Sequence, residues 1–198
     1  MVIKFPKWVN EPSISLFFDY LKHGSVQVFQ DLSIEIPDSV LQKILWIADY
    51  FQIDDLQEKC IKEGIIPRIT MENALVFMNE AYKKLKASEE CDGIWYELLN
   101  NCLEMASENL LFLIKQSSQD LVKIHAKLLE EMIERYIKTE RTINPSQMKD
   151  LMDFILLVKK ADDPFDLLTL QKKLIFSKSF EGFFYLEEIS SFIVFFQI

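Results

Sequence analysis

From Leu41 the chain repeats apolar side chains at Ile44, Leu45, Ile47, Ala48 and Phe51, the i, i+3, i+4, i+7 spacing that puts one helix face into a core. Pro37-Asp38-Ser39 opens this helix. Beyond a turn, Asp54 offers a carboxylate to the open N–H groups of a second, shorter helix, with Gln57 placed to reach back and Leu56, Cys60 and Ile61 inward. The two form a helical hairpin. Ahead of it, Asn10 and Pro12 begin a helix over residues 12–23 with Ile14, Phe17, Phe18 and Leu21 on one face and Gly24 past its end. Partial alternation and the Val and Ile content of residues 25–36 predict extended chain or a small hairpin, and residues 2–5 predict a short strand stopped by Pro6.

After Gly64 and Pro67 the helical period dominates. Thr70 caps a helix that carries Ala74, Leu75, Phe77, Met78, Ala81 and Leu85 inward. A polar turn at residues 88–93 separates it from a helix burying Ile94, Trp95, Leu98, Leu99, Cys102, Leu103 and Ala106. Ser107 opens a short helix with Leu110, Leu111, Leu113 and Ile114, and Ser118 opens a longer one running through Leu121, Ile124, Leu128, Leu129, Met132, Ile133 and Tyr136. Asn144-Pro145 starts a helix with Met148, Leu151, Met152, Ile155, Leu156 and Val158, and Asp163-Pro164 starts another with Phe165, Leu167, Leu168, Leu170, Leu174 and Ile175. Residues 180–198 are dominated by Phe and Ile and read as a segment packed on the core or on a partner. The pattern predicts a mainly α protein, an irregular array of helical hairpins with at most a small β element near the N-terminus.

Composition agrees. Only 4 Gly and 6 Pro stand against 16 Phe in 198 residues, and 49% hydrophobic content is enough for a core. Twenty-two basic against 31 acidic residues leave a net charge of −9, which repels phosphate backbones and anionic membranes, so nucleic acid is not an expected partner. Residues 189–198, the most apolar stretch, reach half of the ~20 needed for a membrane span and are preceded by Glu187-Glu188. With no leader pattern at Met1 and 3 scattered cysteines, the expected setting is intracellular and reducing.

Site chemistry is sparse. His23 and His125 have no Cys or His at metal-ligand spacing, and Cys60, Cys91 and Cys102 form no C-x-x-C pair. The acidic cluster beginning at Asp162 has Leu167 and Lys173 where a calcium loop needs Gly and Glu, and Glu130, Glu131 and Glu134 share a polar helix face with Lys127 and Arg135. No paired glycines cradle a phosphate. No catalytic residue, cofactor or metal is therefore expected. A small helical enzyme or ligand carrier with a Phe- and Met-lined pocket is the competing class, without the convergent polar groups such a pocket uses.

Three segments carry a family likeness. Residues 44–60, with Ala48-Asp49-Tyr50-Phe51, then Asp54-Asp55-Leu56 and Cys60, resemble the last helical hairpin of a BTB (POZ) domain. Phe17-Phe18-Asp19-Tyr20-Leu21-Lys22-His23-Gly24 is similar to that family's F-L-x-Y-x-Y-x-G segment, and Ile69-Thr70-Met71-Glu72-Asn73-Ala74 resembles the start of the BACK region that follows many BTB domains. The likeness covers about residues 1 to 110. It implies a partial BTB-like module at residues 1–66, a BACK-like helical region at 67–176 and a Phe/Ile-rich segment at 177–198. It further implies a non-enzymatic scaffold or adaptor that binds other proteins in a cytoplasmic, cytoskeletal or ligase assembly, with Phe17, Phe18 and Tyr20 as candidate contacts. The chain starts after the first half of that fold, which puts homodimerisation by the family's usual route in doubt. Relatives that recruit a cullin of ubiquitin ligases carry a hydrophobic-x-Glu motif where this chain has Ile14-Ser15-Leu16, so the role of cullin substrate adaptor is the alternative.

Overall fold

The computed structural model describes residues 5–87, 93–121, 123–139 and 144–159. Among these the chain is helical and forms no strand, in the order α1 (Glu11–His23), α2 (Gln27–Gln30), α3 (Asp38–Tyr50), α4 (Asp54–Lys59), a π-helical turn (Cys60–Ile65), a 3-10 turn (Ile66–Arg68), α5 (Ala74–Ala87), α6 (Gly93–Glu108), α7 (Leu110–Leu121), α8 (Ala126–Thr139) and α9 (Pro145–Lys159). The mainly α expectation is met. By packing, the chain divides into two units, Met1–Met105 and Ala106–Ile198. Residues 2–4 of the strand expected at 2–5, the turn at 88–93 in most of its length, the helix from Asp163 and the Phe/Ile-rich end lie outside the described residues, and Phe5 is not in a strand.

In the first unit α3 is the central element. Its stripe of Leu41, Ile44, Leu45, Ile47 and Ala48 is at most 1% exposed, and α1, α4 and the π-helical turn all pack against it. Asn10 caps α1 through the Ser13 N–H at 3.2 Å, and Gly24 ends it in the left-handed conformation at φ 68°. At the end of α3 the Ile53 N–H bonds to the Ala48 carbonyl and the Gln52 N–H to that of Asp49, a Schellman closure with Gln52 at φ 54° where glycine is usual.

Two local expectations are corrected here. Residues 25–36 do not form a hairpin: the one-turn helix α2 sinks Val26 and Phe29 into the core, and Ile36 is buried ahead of α3. The cause is non-local. The Arg68 guanidinium donates to the carbonyls of Val28 (3.2 Å), Phe29 (3.4 Å) and Asp31 (3.0 Å) on one side and Glu63 and Gly64 (both 3.1 Å) on the other. One planar fork thus satisfies the open carbonyls of α2 and of the π-helical turn. Asp54 does not cap α4 either; it is the first helical residue and Ile53 holds the cap position with no side-chain bond. Gln57 turns instead to Asp49, donating to Oδ1 at 3.2 Å, and Asp54 and Asp55 serve α4 through its dipole.

Beyond Cys60 the helix widens into the π-helical turn, which places Gly64 against the Phe29 ring. Asn73 then fixes the entry to α5: it accepts from the Thr70 N–H at 2.8 Å and donates to Asp38 Oδ1 at 2.9 Å and the Arg68 carbonyl at 3.0 Å. Near the other end of α5, Lys84 bonds Asp49. Asn73 and Lys84 are as many residues apart as Asp38 and Asp49, so α5 lies alongside α3 in the same direction and register.

In the second unit α7 packs against α8 and α9, and Lys115 meets Asp150 at 2.9 Å. The long helix expected from Ser118 to Tyr136 is two elements. Ser117 leaves helical geometry inside α7 (φ −133°, ψ 30°), Lys123 and Ile124 turn back onto the Asp120 and Leu121 carbonyls, and α8 starts afresh after His125. Asn144 and Gln147 cap α9 reciprocally at 2.9 Å in both directions.

A Cβ added at Gly64 would stand 3.2 Å from two atoms of the Phe29 ring, tighter than the ring accepts without moving. Gly64→Ala is expected to lower stability by about 1–3 kcal/mol, and Arg68→Lys, which keeps the charge but loses the fork, by about 2 kcal/mol. Urea unfolding followed by far-UV circular dichroism measures both. A loss within error of zero for Arg68→Lys would show that the carbonyls do not need the guanidinium.

Candidate protein-interaction surface

The three residues singled out in α1 part company in the structure. Phe17 is 3% exposed and stacks on Phe51, with ring centroids 5.4 Å apart and an interplanar angle of 14°. It is core. Phe18, its neighbour in sequence, is 48% exposed and touches the same group at its rim. Tyr20 is half-buried and turned toward α4.

The ring cluster around Phe17 is completed by Phe5, which meets Phe17 edge-on at 5.8 Å, Phe51 at 5.9 Å and Phe18 at 6.3 Å. Tyr50 sits edge-on to Phe51 at 5.1 Å, and one turn earlier on α3 Trp46 receives Trp8 edge-on at 5.6 Å. The outcome is an aromatic face running over α1, α3 and the segment before α1. Its outward members are Trp8, Phe18 and Tyr50, each more than a third exposed. Leu21 was expected inward; at the last turn of α1 its position has rotated off the buried stripe. Trp8, Trp46 and Tyr50 were not singled out from sequence, although Trp46 and Tyr50 are four apart and fall outside the apolar stripe of α3, which is the signal that finds them.

Tyr20 has a different task. Its hydroxyl donates to Asp55 Oδ2 at 2.8 Å, and Lys59 donates to the same oxygen at 2.7 Å and to the Gly24 carbonyl at 2.7 Å while lying 5.6 Å from the Tyr20 ring centre. Next to it, Asp19 accepts from the Gln27 N–H at 3.1 Å and faces His23 at 3.7 Å. These bonds tie the end of α1 to α4 and to the start of α2. Partial burial, followed by the Asp55 hydrogen bond and charge, pushes the Tyr20 phenol up from 10.0 to about 12. The Lys59 ammonium, with the Tyr20 hydroxyl second, holds Asp55 below the usual carboxylate range.

Other chemistry is weak by comparison. Burial raises the Cys60 thiol well above its ordinary value and pushes Cys102 up to about 12, so neither supplies a thiolate at neutral pH; Cys91 is outside the described residues. Among the described residues no three His, Cys, Asp or Glu side chains converge as a metal site requires. His23 closes α1 and His125 immediately precedes α8. An open concavity on α8 is lined by Lys127, Glu130, Glu131, Glu134, Arg135 and Lys138, three basic and three acidic side chains along one helix; Arg135 meets Glu131 at 2.6 Å and Lys138 meets Glu134 at 3.7 Å. That is a solvated charged face. No helix among the described residues is long and apolar enough to cross a membrane. No protein-family model, curated protein or solved structure matches this chain.

The Tyr20 and Asp55 shifts fix a pH dependence. Asp55 contributes stability above its unfolded value that is lost as pH falls through its lowered folded value; Tyr20 contributes stability below pH 10.0 that is lost as pH rises toward about 12. In a titration followed by tyrosinate absorbance, Tyr20 should ionise near pH 12. Asp55→Asn should move it only part of the way back to 10.0, because burial, the largest cause, stays. A full return would assign the shift to Asp55 alone.

Proposed function

We propose that this chain is a non-enzymatic protein–protein interaction module of BTB–BACK type, working as a scaffold or adaptor through the aromatic face of α1 and α3. The observation that carries the proposal is the exposure of Phe18, Tyr50 and Trp8 on a face whose inner rings are tightly packed. Large outward aromatics on a rigid base are what anchor residues of protein interfaces look like.

The BTB–BACK likeness draws support from how its landmark residues are used. Phe17 of the first segment stacks on Phe51 of the second, Tyr20 of the first bonds Asp55 of the second, and Asn73 of the third bonds Asp38 at the head of α3. Residues that form the likeness are therefore mutual partners, as expected of a shared hairpin architecture. Scaffold is preferred to cullin adaptor, because Leu16, apolar and half-buried, stands where cullin-recruiting relatives place an acidic residue.

Phe18→Ser exchanges an exposed side chain and should leave the circular dichroism spectrum unchanged. In affinity purification from the source cells it should reduce recovery of stably bound proteins by about tenfold or more, the effect of removing an interface anchor. Purified cullin is the separating probe. Recovery of the chain only within a large stable assembly, without direct cullin binding, is the expected result; clear cullin binding would make it an adaptor. Unchanged recovery for a Phe18→Ser, Tyr50→Ser double variant would remove this face from consideration.

A further inference from the structure

We draw no further inference here: the strongest candidate, the aromatic surface patch over α1 and α3 with Trp8, Phe18 and Tyr50 outward, belongs to the interaction surface already described, and nothing in the structure shows what covers it.

Discussion

One residue in the left-handed conformation, Gln52, sets the geometry of the first unit. The buried stripe of α3 fixes how that helix lies, but it is the closure at Gln52 and Ile53 that reverses the chain sharply enough to do two things at once. It leaves Phe51 at the helix end, where its ring meets Phe17, and it starts α4 where Asp55 can accept from Tyr20. The apolar contact and the polar tie both join α1 to the α3–α4 hairpin, one from inside and one from the rim. A non-glycine residue in this region carries a conformational cost of about 1–2 kcal/mol, which the stacked rings and the Asp55 bonds together offset.

What could be read from the sequence follows the range of the forces involved. The helices α1, α3, α5, α6 and α9 were legible because each has a sustained apolar stripe, and Asn10 and Asn144 announce their caps by residue type. The one-turn α2 was not, since four residues have no period to detect and its stability comes from Phe29 in the core and from Arg68, some forty positions away. The same holds for Gln57. Its spacing from Asp54 suggested a cap, while in space Asp49 on the preceding helix is the acceptor it reaches. The break between α7 and α8 was hidden because apolar residues continue at helical spacing through it; Leu121 and Ile124 are buried on either side of a turn rather than along one helix.

The candidate surface was legible in part. Sequence points to the α1 segment, and Phe18 is there, but no local pattern says that Phe17 faces in and Phe18 out until the partner ring of Phe51 is placed. Tyr50 and Trp46 could have been found from α3 alone, as large residues off its buried stripe. Trp8 could not, because its position depends on the segment before α1 folding back onto Trp46.

The rings that make this face conspicuous also make it rigid, and rigidity is what turns exposure into affinity. Phe18 rests on Phe5 and Phe17, Tyr50 on Phe51 and Trp8 on Trp46, so each outward ring is already braced by another before any partner arrives. Ordering a free side chain on binding costs about 0.5–1.5 kcal/mol; bracing lowers that cost for every anchor on the face. Flexible surface residues such as the Lys and Glu ladder of α8 would incur it in full and would lose solvation as well. The contrast explains why, of the two features that stand out on the protein, the charged helix of the second unit reads as solvent-facing and the aromatic face of the first as a surface built to be covered.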